Sequence, residues 1–207
     1  LGYSNEEVDH AVNEQRKKID LGNGPSALVV DLAEKMITLV DSADWALFAK
    51  NGTDATTTCL TISRAATGKK KIMVAKGSYH GSAPWCTPVA TGVVEEDTSN
   101  LIFFEYNDLV SLEAAAQNAG GDLAAIILTA FRHDVRRDQE LPKSAFLKKA
   151  REICDNKNAV LILDDVRAGF RIHRRGSWVD YGDRTTKQVF AFHPAPVLAA
   201  RVSPRQM

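Results

Sequence analysis

Three short stretches of the sequence carry side chains that could bind a charged or aromatic small molecule. The first runs from Asn51 to Asp54, between a predicted strand and a predicted helix. Gly52 permits a tight turn, and the N–H groups that open the helix could bind a phosphate together with the Thr53 hydroxyl. An ordinary turn in which Thr53 caps the helix explains the same residues. The stretch alone leaves both interpretations open.

The second stretch places two rings in one glycine-flanked loop. Tyr79 and His80 lie between Gly77 and Gly81, directly after a predicted strand. Their rings could stack on an aromatic ligand. A surface loop with a half-buried tyrosine fits the same pattern equally well.

The third stretch ends the most apolar predicted strand with two carboxylates, Asp164 and Asp165. A carboxylate at the end of a buried strand needs a partner, because burying an unpaired charge is costly. A protonated ring nitrogen of a ligand would serve, and so would a nearby arginine. Arg167 and Arg171 are close in sequence, so a structural ion pair remains an equal alternative.

Apolar periodicity predicts the elements that must position these stretches, with the capping-box spacing of Ser4 and Glu7 at the start of the first helix. Helices are predicted at 4–19, 26–41, 53–67, 108–119 and 143–157, and strands at 45–50, 70–77, 101–105, 123–130 and 159–165. This alternation predicts an α/β fold with a mostly parallel sheet covered on both faces. In such sheets ligands bind at the carboxyl ends of the strands, where the three stretches lie.

Composition excludes several classes of protein. The 207 residues carry equal numbers of basic and acidic side chains, and over the first 166 residues there is no electrostatic case for a nucleic-acid partner. No apolar run approaches the ~18 residues of a membrane span, and no signal peptide is visible. The three cysteines are far apart and form no CxxC pair, which predicts neither a metal site nor a disulfide framework. A reducing, cytoplasmic compartment fits this cysteine usage.

Taken together, the three stretches resemble the class III aminotransferases, which bind pyridoxal phosphate on the fold-type-I scaffold. The similarity is carried by LGYSNEEVDHAV, by DWALFAKNGTDATTTCLTISRAATGKKKIMVAKGSYHG and by LILDDVRAGFR, and it spans about residues 1–180. Within the family, the chain looks most like the glutamate-1-semialdehyde 2,1-aminomutases. The implied fold is an incomplete fold-type-I large domain, a three-layer αβα arrangement with a mostly parallel sheet.

The resemblance implies a role for each matched residue. Gly52 and Thr53 would bind the cofactor phosphate, and Tyr79 would stack on the pyridine ring with His80 beside it. Asp164 would pair with the pyridine nitrogen, which makes the ring a stronger electron sink. At the position of Asp165 the family usually has glutamate.

Two departures from the family concern the active site. After the fourth strand the family usually has Glu-Pro and then an asparagine near the ring hydroxyl. Here His133 or Asp134 would take that contact, unless they form a surface pair. The family also needs a lysine that forms a Schiff base with the cofactor. Lys187 is the candidate, 23 residues after Asp164, but no glycines follow it as they do in the family.

The predicted organisation has three parts. Residues 1–41 form an N-terminal helical segment, and 42–180 form a partial pyridoxal-phosphate-binding domain. Residues 181–207 have no clear helix or strand pattern and are interpreted as an atypical tail that is disordered or arises from a frameshift.

The resemblance implies an enzyme that moves an amino group on a small amino or keto substrate and works as a homodimer when full-length. The first hypothesis is an aminomutase that shifts the amino group within one molecule to give 5-aminolevulinate. A transaminase with separate donor and acceptor is the first alternative. An inactive fragment that lacks the Schiff-base lysine is the second. A nucleotide-binding domain is disfavoured because neither GxGxxG nor GxxxxGK[ST] is present.

Overall fold

The computed structural model describes residues 3–19, 24, 26–40, 43–132, 138–177 and 179, and the backbone of 188–192 and 197–200. It divides into two compact units, residues 1–35 and 36–207. The first unit contains helix α1 (Glu6–Lys18) and most of helix α2 (Ala27–Leu39). The predicted N-cap of α1 is wrong by one residue. Asn5, not Ser4, caps the helix, and its side-chain oxygen accepts a hydrogen bond from the Val8 N–H at 3.1 Å.

The second unit is built on one sheet with helices along it. Its strands are β1 (Trp45–Phe48), β2 (Lys71–Ala75), β3 (Leu101–Phe104), β4 (Leu123–Thr129), β5 (Val160–Asp165), β6 (Gln188–Phe192) and β7 (Val197–Ala200). Its helices after α2 are α3 (Gly52–Thr67), α4 (Glu95–Thr98), α5 (Leu109–Ala119) and α6 (Ser144–Asn156). The spatial strand order is β1-β7-β6-β5-β4-β2-β3, in which β7 is antiparallel to both neighbours and the other pairs are parallel. The predicted mostly parallel α/β fold is therefore confirmed.

The two faces of the sheet bury separate apolar clusters, as the lack of apolar alternation in the strands predicts. On one face, Cys59 and Leu60 of α3 pack with Ile72, Ile127 and Ile162. On the other face, α5 and α6 pack on strand residues that include Met73, Phe104, Ile126 and Leu163. Because successive side chains of a strand alternate between faces, Asp164 shares a face with Ile162 and Asp165 shares one with Leu163.

Residues 181–207 were expected to contain neither helix nor strand, but two strands, β6 and β7, lie in this segment. The backbone of 188–192 runs parallel to β5, and 197–200 pairs with both β6 and β1. Local pattern could not predict them, because the pairing partners lie far away in the sequence and strand formation depends strongly on such context. No helix among the described residues is long and apolar enough to cross a membrane.

Two adjacent phenylalanines of β3 allow a direct test of this packing. Phe104 is fully buried, with its ring centroid 6.1 Å from that of Phe146 in α6, whereas Phe103 is 50% exposed. We expect Phe104→Ala to lower the free energy of unfolding by about 3–5 kcal/mol. Phe103→Ala should lower it by less than about 1 kcal/mol. Urea unfolding of both variants measures the difference, and equal losses would contradict the assigned strand facing.

Candidate cofactor site

A cavity of about 220 Å³ lies at the carboxyl ends of β1 and β5. The loop after β2 forms the rest of the cavity wall. The residues lining the cavity come from all three predicted stretches: Asn51, Gly52, Thr53, Tyr79, His80, Gly81, Asp164, Val166 and Arg167. The structure thus brings together Gly52, Thr53, Tyr79, His80 and Asp164. His133 and Lys187 lie outside the described residues.

The start of α3 is fixed by Asn51. Its side-chain oxygen accepts a hydrogen bond from the Asp54 N–H at 2.9 Å, and its carbonyl accepts one from the Ala55 N–H at 3.2 Å. The alternative in which Thr53 caps the helix is therefore wrong. Gly52 and Thr53 instead form the first turn, where N–H groups precede the intrahelical ladder and the helix dipole favours an anion.

Thr53 connects this helix to the loop after β2. Its hydroxyl oxygen accepts a hydrogen bond from the Ser82 N–H at 3.1 Å. The preceding residue, Gly81, has φ +132°, and a Cβ atom there would lie 2.5 Å from the Thr53 hydroxyl oxygen. Only glycine permits this backbone conformation and this close approach. The Gly81 position thus fixes how near the loop comes to the helix.

His80 lies in this loop with its side chain buried and paired with the carboxylate of Asp164. Its Nδ1 lies 2.7 Å from the Asp164 Oδ2, and its backbone carbonyl accepts a 2.7 Å hydrogen bond from the Thr56 hydroxyl. The His80 ring also stacks on Trp85, with centroids 6.3 Å apart. Its other nitrogen, Nε2, is buried and has no hydrogen-bond partner among the described residues. Tyr79 is more open, at 42% exposed.

Asp164 is only 7% exposed, and its partners differ from the arginines considered above. Besides His80, its Oδ1 accepts a hydrogen bond from the Val166 N–H at 3.2 Å. The ion-pair alternative with Arg167 or Arg171 is therefore wrong. Each carboxylate oxygen can accept more than one hydrogen bond, so Asp164 retains capacity for a donor in the cavity.

Asp165 points to the other face of the sheet and makes a different pair. Its two carboxylate oxygens accept hydrogen bonds from the Ser177 hydroxyl at 2.6 Å and the Ser177 N–H at 2.9 Å. Burial raises the pKa of the Asp165 carboxyl, the two Ser177 bonds lower it, and the charge of Asp164 raises it, with a net upward shift. The sequence did not predict the role of Ser177, because no motif connects it with Asp165, twelve positions earlier.

Comparison with known proteins connects this geometry to a family. The model for the class III aminotransferases matches residues 1–182. The chain belongs to the class III aminotransferase family. A curated relative, the aminopentol aminotransferase of Sphingopyxis macrogoltabida, is 46% identical over 182 residues, which are 88% of this chain and 43% of that protein. The glutamate-1-semialdehyde 2,1-aminomutase of Cytophaga hutchinsonii is 31% identical, over 90% of this chain and 46% of that protein.

A solved structure agrees with this assignment. The pyridoxal-phosphate form of the FumI protein from Sphingopyxis sp. MTA144 superposes with a TM-score of 0.91 and 41% identity, over 97% of this chain and 50% of that one. Pyridoxal phosphate is thus the cofactor of the family to which this class III chain belongs. The chain spans about half the length of the relatives it matches.

The buried Asp165 carboxyl predicts a pH dependence of stability. In the unfolded chain it ionises near pH ~3.9, whereas in the folded protein it ionises only at the raised pKa. Wild type should therefore lose stability relative to Asp165→Asn as the pH rises from about 4 through the raised pKa. Urea unfolding at several pH values measures this difference. A difference between wild type and Asp165→Asn that is flat with pH or opposite in sign would refute the prediction.

Proposed function

We propose that this chain supplies a pyridoxal 5′-phosphate site for amino-group transfer between small amino and keto compounds. The observation that carries the proposal is that a helix N-terminus, an aromatic ring and a buried carboxylate line the same cavity. These three features suit the phosphate, the ring face and the ring nitrogen of that cofactor, respectively. The fit is supported by the close Gly81 backbone and by the buried His80 Nε2, which has no hydrogen-bond partner in the part of the chain that the structure describes.

At the phosphate end, Gly52 and Thr53 would be the binding residues. Their N–H groups belong to the first turn of α3, where the partial positive charge of the helix is concentrated. The Thr53 oxygen accepts from Ser82, so the Thr53 hydroxyl hydrogen can be donated to an anion. The phosphate would thus be bound by neutral donors that are already oriented by Asn51 and Gly81.

At the opposite end, Asp164 would keep the ring nitrogen protonated. When bound, the cofactor supplies an electron sink for negative charge that develops on the substrate carbon. The protein's part is to orient Asp164, and His80 and the Val166 N–H contact its carboxylate from two sides. Tyr79 would cover one face of the ring, as its place in the cavity lining allows.

The test of this site is direct binding of pyridoxal phosphate to the 207-residue chain. We expect saturable binding by absorbance titration, and Asp164→Ala should weaken it by at least about tenfold because a charge-assisted hydrogen bond is lost. Asp164→Asn, which keeps the shape but not the charge, should weaken it comparably. Asp97→Ala, on the exposed helix α4, is the control and should bind like wild type. Absence of saturable binding to wild type would refute the site.

Transfer between separate amino donors and acceptors is the reaction we propose first. The supporting observation is the greater identity to an aminopentol aminotransferase, 46%, than to an aminomutase, 31%. The intramolecular shift of an aminomutase remains the second candidate, because enzymes of that name are also relatives over most of this chain.

Lys187 is the residue that we propose for covalent attachment of the cofactor, through its side-chain amine. The family match ends at residue 182, before this lysine, so the assignment rests on its spacing from Asp164 alone. Borohydride reduction in the presence of pyridoxal phosphate should label the Lys187 peptide in mass spectra, and Lys187→Ala should lose that label. The peptide that contains Lys157 serves as the internal control. Labelling of other lysines without Lys187 would favour the inactive-fragment alternative.

We also propose that the full protein is a cytoplasmic homodimer. Helix α2 exposes several large apolar side chains, among them Leu28 and Val30, which is typical of surfaces covered by a partner.

Cys59, Cys86 and Cys154 are buried free thiols, as expected in a reducing compartment. Burial raises the pKa of Cys86 to about 11 and that of Cys154 to about 12, so neither is poised as a nucleophile.

A further inference from the structure

The imidazole ring of His80 is held by a hydrogen bond at one nitrogen only. Its Nδ1 lies 2.7 Å from the Asp164 Oδ2, whereas its buried Nε2 has no hydrogen-bond partner within the described ranges. Rotation about the bond that joins a histidine ring to its Cβ atom is intrinsically soft. One hydrogen bond therefore leaves the tilt of the His80 ring poorly determined, and a second contact is needed to set it.

Trp85 supplies that second contact. Its ring and the His80 ring lie 14° from parallel with centroids 6.3 Å apart, which is the offset stacking that aromatic pairs favour. Tilting the His80 ring would break this stack and swing Nδ1 away from the Asp164 carboxylate. Because His80 is only 2% exposed, bulk water offers Nδ1 no replacement partner. The stack thus helps to keep the pair of His80 and Asp164 together.

The position of Trp85 is itself fixed by helix α3. Its indole Nε1–H donates a 2.9 Å hydrogen bond to the Thr57 hydroxyl oxygen, and its side chain packs against the apolar cluster on the α3 face of the sheet. The adjacent Thr56 hydroxyl donates a 2.7 Å hydrogen bond to the His80 carbonyl. Two neighbouring hydroxyls of one helix therefore fix both the backbone of His80 and the ring that stacks on it.

We propose that Trp85 is a positioning residue that holds the His80 ring in the plane where Nδ1 meets Asp164. Trp85 is not among the described residues that line the cavity, so it acts on a bound cofactor only through this pair. An oriented Asp164 carboxylate binds a protonated ring nitrogen more strongly than one that can turn away. The cofactor part of the inference rests on the proposed function, whereas the orientation of His80 does not.

The first test needs no cofactor and uses the 207-residue chain with isotopically labelled histidine. In nuclear magnetic resonance spectra we expect a His80 Nδ1–H signal that exchanges slowly with water and is lost in His80→Gln. Trp85→Ala should speed this exchange about fivefold, the order of effect of one aromatic pair. Trp45→Ala is the matched control, because Trp45 in β1 is also partly buried against the same cluster, and its exchange rate should equal that of wild type.

Three results of this measurement would overturn the proposal. The first is the absence of the His80 signal from wild type. The second is an exchange rate in Trp85→Ala equal to that of wild type. The third is an equal rise of the rate in Trp45→Ala, which would show general loosening of the cluster.

The second test measures the contact with the ring nitrogen. The deaza analogue of pyridoxal phosphate has a carbon in place of that nitrogen, so the ratio of its Kd to that of pyridoxal phosphate reports the Asp164 contact. We expect a ratio of about ten for wild type, as a charge-assisted hydrogen bond predicts. Trp85→Ala should lower it to about two without changing the Kd of the deaza analogue. Trp45→Ala should keep the wild-type ratio.

Trp85→Phe separates stacking from the hydrogen bond to Thr57. Phenylalanine keeps a ring beside His80 but has no N–H, so this variant should restore most of the ratio lost in Trp85→Ala. A Trp85→Phe variant that behaves like Trp85→Ala, or a Trp85→Ala variant that weakens both ligands equally, would overturn the proposal. Failure of wild type to bind either ligand would refute the proposed function, while the exchange rates would still decide whether Trp85 orients His80.

Discussion

The buried carboxylate of Asp164 is the constraint around which the site is arranged. A charge at the end of an apolar strand must be compensated, and here His80 and a backbone N–H compensate it from within the protein. His80 contacts Asp164 from the loop after β2, and the Thr56 hydroxyl of α3 donates a hydrogen bond to the His80 carbonyl. One electrostatic requirement thus connects a strand, a loop and a helix that are far apart in the sequence.

The neighbouring Asp165 has a different task because a strand turns successive side chains to opposite faces. Asp164 lies on the α3 face, near the cavity, whereas Asp165 is bound by Ser177 on the face covered by α5 and α6. The pair of carboxylates therefore organises both sides of the sheet end. A shift of register by one residue in β5 would exchange their roles and destroy both contacts.

Much of this arrangement could be predicted from the sequence, because apolar periodicity places strands and helices and parallel strands align their carboxyl ends. The five predicted strands and the grouping of Gly52, Thr53, Tyr79, His80 and Asp164 at one edge follow from that rule. Contacts that depend on three-dimensional approach could not be predicted. Examples are the capping of α3 by Asn51, the pairing of Asp164 with His80, and Ser177. Strands β6 and β7 were missed for the same reason, since their stability comes from distant neighbours.

The position of β7 has a consequence for the order of assembly. Of the strands that the structure describes, β7 is the neighbour of β1, so Trp45 lies opposite Ala200. Among these strands, β1 therefore has no pairing partner until residues 197–200 have left the ribosome. Contacts of such long sequence separation are slow to form, and a chain interrupted before residue 197 would expose an aggregation-prone edge.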